Sequence, residues 1–238
     1  MNVAPPKWKT PIFMVDLEVA DVMNRFVKRG ACVIDAGANE GHFAWLLARL
    51  VGMEGCVYAY EPDRVVFDVL QDNIAPLKNV VTNETALWCR DEELTFYCTP
   101  ESGYSSFVPY LDFERERYKV QARSLDGLGI KPTPSFIKVD CEGADEAVLR
   151  GAEQMLRSGV ECVIAEMSFS LMENFQCSER TMREYMRGLG YECFLLEAYL
   201  KPLLVPHDSH IHLLESGAKN KMINVMFAKT SRVDELWT

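Results

Sequence analysis

Apolar positions recur along this chain with two periods that take turns. From Leu17 to Arg29 the residues Val19, Val22, Met23, Phe26 and Val27 fall at helical spacing, and Gly30 stops the pattern. A short β-branched run, Ala31 to Ile34, follows at once and reads as a strand. Helical spacing returns from His42, with Ala44, Leu47, Ala48 and Val51 on one face up to Gly52. Cys56 to Tyr60 is a second strand. Pro62 then opens a helix whose Val66, Val69 and Leu70 share a face before Pro76 closes it. Asn79 to Thr82 is a third strand. Strand and helix alternating three times in a row imply a parallel sheet with right-handed crossovers.

The alternation then lapses. Leu94 to Cys98 and Lys119 to Ala122 are short strand candidates, Ser102 to Ser106 has turn composition, and Asp112 to Arg117 alternates in charge like a solvated helix or loop. Residues 94–124 therefore read as an insertion on the C-terminal edge of the sheet, where substrate specificity usually resides. Order returns with the buried strand Phe136 to Val139. A helix follows with Ala144, Val148, Ala152, Met155 and Leu156 facing inward and Gly159 ending it. Val160 to Ala165 is a fifth strand. Ser178 caps a helix carrying Met182, Tyr185, Met186 and Leu189 up to Gly190, and Tyr191 to Leu196 and Met222 to Ala228 are the last two strands. They flank a long loop, 201–221. Residues 1–15, Pro-rich at first, read as an extended arm, and the whole of 1–238 as one domain.

The strand ends carry the candidate chemistry. The first strand runs into Asp35-Ala36-Gly37-Ala38-Asn39-Glu40-Gly41, a glycine turn that lets a ligand approach bare backbone. The second ends in Glu61, placed 20 residues beyond Gly41, where a carboxylate can accept hydrogen bonds from the two hydroxyls of an adenosine ribose. A dinucleotide turn wants a third glycine and no acid ahead of it, because a pyrophosphate must sit against bare N–H groups. Asp35 suits an ammonium group instead, as in S-adenosylmethionine. The plainer reading of the glycines alone is a turn with an ordinary helix cap; Glu61 at that distance favours a cofactor. Glu84, at the tip of the third strand, is placed to reach an adenine amino group or is simply a solvated loop acid.

Asp140, Glu142 and Asp145 gather where the fourth strand meets its helix, and Glu166 follows the fifth. Acids at a helix N-terminus are stabilised by the helix dipole, yet three within six residues at the functional end of such a sheet favour a site.

Composition adds bounds. The chain has 238 residues and a net charge of −10, with no Lys/Arg run, which argues against nucleic-acid backbone as the main partner. No signal-peptide pattern opens it and no apolar run reaches membrane-spanning length, so the expectation is a cytoplasmic protein without membrane insertion. Its eight cysteines are scattered without a C-x-x-C pair, which speaks against zinc and disulfide frameworks. His207, His210 and His212 lie close together in the long loop, where exposed residues are the plainer reading than metal ligands. Nothing in the sequence fixes the oligomeric state.

With these residues placed, the sequence resembles the FkbM family of class I S-adenosylmethionine-dependent methyltransferases. The resemblance rests on Val33 to Gly41, Tyr60-Glu61-Pro62, Ser124-Leu125-Asp126, and above all Ile137 to Asp145 followed by Val148-Leu149-Arg150-Gly151-Ala152. Asp145 stands where the family commonly has Glu. The resemblance implies an α/β Rossmann-like fold: a seven-stranded, mostly parallel sheet in the order 3-2-1-4-5-7-6, strand seven antiparallel, with helices on both faces. It implies methyl transfer to a hydroxyl of a sugar, glycan or polyketide-type small molecule. Carried over by position, Asp35, Gly37, Asn39 and Gly41 line the methionine end of the cofactor and Glu61 holds the ribose. The base is expected among Asp140, Glu142 and Glu166. A variant places magnesium or manganese between Asp140 and Glu166, although no metal ligands are assigned. The rivals are a non-catalytic nucleoside-binding module of the same fold and, more weakly, an NAD-dependent dehydrogenase.

Overall fold

The computed structural model describes residues 16–99, 105–109, 116–197, 200–209, 211 and 222–237. Helix α1 (Leu17–Phe26) leads to β1 (Cys32–Ala36), α2 (His42–Val51), β2 (Cys56–Tyr60), α3 (Arg64–Ile74) and β3 (Val80–Asn83). Three strands follow without a helix between them, β4 (Ala86–Leu87), β5 (Glu92–Cys98) and β6 (Glu116–Arg123). Alternation resumes with β7 (Phe136–Val139), α4 (Asp145–Arg150), α5 (Glu153–Ser158), β8 (Cys162–Ser168), α6 (Phe169–Met172) and α7 (Glu179–Gly188). The chain ends in β9 (Glu192–Leu195), β10 (Leu203–Leu204), β11 (Met222–Ala228) and α8 (Thr230–Leu236).

The main sheet has the order β3-β2-β1-β7-β8-β11-β9-β10. Its first seven members reproduce the expected 3-2-1-4-5-7-6, with β11 antiparallel to both neighbours. The count is eight rather than seven: β10 lies inside the stretch expected to be loop and pairs antiparallel with the outer edge of β9. Two residues suffice there because Val205 N–H also donates to Cys193 O, at 2.9 Å. Successive residues of β1 face opposite layers. Val33 packs with Val19, Phe26 and Leu47 on one side, and Ile34 with Leu149, Leu156 and Met182 on the other. Each fully buried aliphatic side chain of this kind contributes about 1.5–3 kcal/mol, so both layers hold the sheet.

Two expectations are corrected. The strand candidates Leu94 to Cys98 and Lys119 to Ala122 fall in β5 and β6, which pair antiparallel over their lengths and form a second sheet, β4-β6-β5, with β4 parallel to β6. Glu116 and Arg117, read as part of a solvated helix or loop, begin β6. The single helix expected up to Gly159 is two, α4 and α5. At the break, a Cβ on Gly151 would stand 2.1 Å from the Trp88 carbonyl oxygen, so the chain passes where only glycine fits. Asp126 then caps the new helix, accepting from Gln154 N–H at 2.8 Å and Met155 N–H at 2.9 Å.

Among the described residues no helix is long and apolar enough to cross a membrane. All eight cysteines are free thiols. The expected N-terminal arm up to Val15, Tyr104 of the turn, most of the charge-alternating stretch, and His210 and His212 of the long loop lie outside the described residues.

Candidate active site

One cleft opens at the C-terminal ends of β1, β2, β7 and β8, beneath the β4-β6-β5 sheet. Gly37, Asn39, Glu61, Asp140, Glu142 and Glu166 all line it, so residues spread over more than half the sequence meet there. Tyr60, Leu87, Phe96 and Phe107 give it an apolar wall.

The glycine turn is built by close approach. Gly37 has φ 75°, and a Cβ on it would fall 1.8 Å from the Asp140 carbonyl oxygen, so the β1 and β7 loops touch backbone to backbone. The N–H groups of Gly37 and Ala38 both donate to Tyr60 O, tying this turn to β2 as well. Asn39, also left-handed at φ 48°, donates its backbone N–H to Glu61 Oε2 at 2.9 Å. Asp63 N–H donates to the other oxygen at 2.8 Å. A carboxylate offers about four lone-pair positions, so Glu61 retains acceptor capacity for ribose hydroxyls. Burial pushes its carboxyl up to about 8, with the two N–H donors pulling the other way.

The fourth-strand loop is held from below. Asp145 is fully buried, accepts from Cys141 N–H at 3.3 Å and Gly143 N–H at 3.2 Å, and so shapes the loop rather than lining the cleft. That loop puts Glu142 in a left-handed conformation, φ 51°. Oε2 of Glu142 and Oε1 of Glu166 are buried without a hydrogen-bond partner. Burial first, then the charge of Asp140, drives both carboxyls far above the usual carboxylate range. Unpartnered buried acceptors are costly, and these two fit a ligand that brings hydroxyl donors and positive charge. The arrangement can therefore grip a ribose at Glu61, accept cationic groups near Asp140, and take up a proton at Glu142 or Glu166.

Three expected residues lie elsewhere. Asp35 is the fourth residue of β1, fully buried and not among the residues lining the cleft; its carboxylate faces the Lys138 ammonium at 3.6 Å. Burial raises it to about 6. Gly41, with φ 95°, precedes α2 and packs against Leu70 and Ile74. Glu84 turns toward Arg64, 3.4 Å away, and borders a separate groove on the outer side of β4 and β6. Among the described residues, no group of three or more His, Cys, Asp and Glu side chains is arranged to hold a metal ion.

Several contributors carried no sequence signal. Tyr118 of β6 donates its hydroxyl to Pro62 O at 2.9 Å, accepts from Arg64 N–H, and stacks under the Arg64 guanidinium at 4.1 Å. Ser105 donates to Asp63 Oδ2 at 3.0 Å. These contacts fasten the second sheet over the cleft, while Phe107 of the wall meets Phe96 edge-on and is backed edge-on by Trp88. Lys138 was visible only as a charged residue inside an apolar strand.

Solved structures share this architecture. An FkbM methyltransferase from Methylobacillus flagellatus KT superposes with a TM-score of 0.52 at 15% identity, over 83% of this chain and 43% of that one. A Clostridium thermocellum protein provisionally assigned as an rRNA methylase gives a TM-score of 0.52 at 12% identity, over 89% and 95%. Identities this low show the fold alone, and this chain spans less than half the length of the first of the two. No curated protein matches the chain in sequence. The family model of the methyltransferase FkbM domain, however, matches residues 35–193, which takes in the glycine turn, Glu61, the acidic loop and Glu166. The chain thus belongs to the FkbM methyltransferase domain family.

Proposed function

We propose that this protein is an O-methyltransferase that methylates a hydroxyl of a small molecule or glycan, with Glu142 or Glu166 as the proton acceptor. The observation that carries the reading is the pair of buried, unpartnered carboxyl oxygens lining the cleft next to Asp140. Bound S-adenosylmethionine supplies an electrophilic methyl group on a sulfonium, displaced in line as the new C–O bond forms and the C–S bond breaks. The hydroxyl proton leaves for a carboxylate of this chain, since an alcohol is a poor nucleophile until it is lost.

Burial and the charge of Asp140 hold Glu142 and Glu166 so far above the usual carboxylate range that their protonated forms are favoured at neutral pH. Positive charge entering beside them favours the ionised form, so the base becomes available when the site is charged. Glu61, at the opposite side of the glycine turn, would hold the ribose, and Gly37 and Asn39 the chain that faces the methionine end. The acids lining the cleft also weigh against a phosphodiester acceptor, as does the net charge of −10.

The test is transfer of a labelled methyl group to a panel of sugars, glycans and polyketide alcohols, with an rRNA fragment alongside. Transfer to a hydroxyl acceptor is expected. Glu142→Gln or Glu166→Gln should lower kcat by about 10²–10⁴ while cofactor affinity changes only a few-fold. Transfer to RNA alone would refute the acceptor class. Cofactor binding with no transfer to any acceptor would favour the binding-module reading.

A further inference from the structure

Lys138 lies in the middle of an otherwise apolar strand, and its side chain is 5% exposed. In register it stands beside Asp35 of β1, and β7 continues from it into Asp140. Its ammonium is 3.1 Å from Asp140 Oδ2, 3.4 Å from Gly37 O and 3.6 Å from Asp35 Oδ1. The ring of Phe43 covers it with its centroid 5.0 Å away. A buried ammonium is costly unless well paired. Here two carboxylates overcome the penalty of burial, so the group stays charged above its ordinary range.

Two of the three oxygen partners come from two different loops and the third from strand β1. Gly37 belongs to the glycine turn after β1 and Asp140 to the acidic loop after β7, and these are the walls that meet where Gly37 has no room for a Cβ. Asp35 lies beneath both, fully buried, and Asp140 alone of the two carboxylates reaches the cleft, its side chain 33% exposed. We propose that Lys138 is a positioning residue of the cofactor cleft: its ammonium ties the Gly37 carbonyl to the Asp140 carboxylate, fixing the spacing of the two loops and the direction in which Asp140 faces. It touches neither substrate nor cofactor and acts through Gly37 and Asp140. Asp35 holds the ammonium from below and keeps it from leaving that position. The assignment rests on the reading of this cleft as the cofactor site.

The charge reaches further than the contact. Lys138 draws down the carboxyls of Asp35, Glu142, Asp145 and Glu166, so removing it should move their ionisation to higher pH. A residue that merely fills space would not do that.

The experiment is calorimetric binding of S-adenosylmethionine between pH 6 and 9 by the wild-type chain, Lys138→Met and Lys138→Arg. Lys138→Met is expected to bind at least tenfold more weakly, with its affinity profile displaced to higher pH. Lys138→Arg keeps the charge, so its profile should stay in place and its affinity within about threefold. A folded Lys138→Met with wild-type affinity and profile overturns the proposal. So does a Lys138→Arg profile displaced toward higher pH, and that variant decides the matter by itself if Lys138→Met does not fold. Failure of the wild-type chain to bind S-adenosylmethionine would instead overturn the cofactor reading on which the proposal rests.

Discussion

Glu61→Gln probes the proposed ribose end of the cleft with an almost unchanged side-chain shape. The carboxyl is 7% exposed and raised by burial from an ordinary 4.5 to about 8. A gap of that size corresponds to about 5 kcal/mol at most, each pH unit being worth about 1.4 kcal/mol. Because the folded value lies above the unfolded one, the folded chain keeps a proton that the unfolded chain releases between pH 4.5 and 8. The stability linked to this group is whole below pH 4.5 and is lost as pH rises through 8. Glutamine has no such loss, but it meets the N–H groups of Asn39 and Asp63 with one oxygen and one NH₂. Leaving one buried donor unmet costs about 1–3 kcal/mol. The variant should therefore be less stable than the wild type at pH 5, by about that amount, and draw level or become the more stable by pH 9. Urea melts at pH 5, 7 and 9 measure this directly. Calorimetry of S-adenosylmethionine binding in buffers of different ionisation enthalpy measures the ligand side. Hydroxyl donors favour the carboxylate, so the wild type should release a proton there near pH 7, while the variant releases up to one fewer and binds at least tenfold more weakly. A stability gap that stays constant from pH 5 to 9, with an unchanged proton count, would refute the reasoning.

Gly37→Ala places a Cβ 1.8 Å from the Asp140 carbonyl oxygen at a positive φ; it should lose at least about 2 kcal/mol in a thermal or urea melt, and retention of wild-type stability would contradict the close approach. Tyr118→Phe removes the hydroxyl shared by Pro62 and Arg64 and should cost about 1–2 kcal/mol, with faster protease cleavage of the second sheet as the local readout. Asp145→Ala strands the N–H groups of Cys141 and Gly143; about 2–5 kcal/mol is expected, together with weaker cofactor binding as Glu142 loses its imposed geometry.

The sheet was legible because its strands are uninterrupted apolar runs. Such runs between amphipathic helices imply a parallel sheet, and β1, β2, β7 and β8 lie near the expected bounds; the order of the strands followed from the family resemblance, not from the pattern. β10 was hidden because two residues, both exposed, leave no period to read. The second sheet was half visible: its strands alternate, but pairing between β4 and β6 spans more than thirty residues and depends on contacts no local pattern encodes. The break before α5 turns on the Trp88 carbonyl, far away in sequence.

At the site, sequence reasoning found the acids at strand tips but could not rank them by depth. Asp35 and Gly37 are two residues apart, yet one is under the cleft and the other lines it, because the strand runs two residues beyond Ile34, where the apolar run ends. Lys138 had a signal in hindsight that is purely physical. A lysine inside a strand buried on both faces must have an acid beside it, and its register partner is one.

Asp63 gives the architecture a consequence of its own. Its backbone N–H grips Glu61, one side-chain oxygen caps α3 through Val65 and Val66, and the other takes the Ser105 hydroxyl of the covering segment. The covering segment, the start of α3 and the Glu61 carboxylate, proposed to hold the ribose, are thus linked through a single buried residue. Any displacement of the segment that carries Ser105 would therefore act on the same residue that steadies Glu61 and caps α3. Amide exchange in the first turn of α3 should accordingly respond to removal of the Ser105 hydroxyl, although that hydroxyl lies more than thirty residues away in sequence.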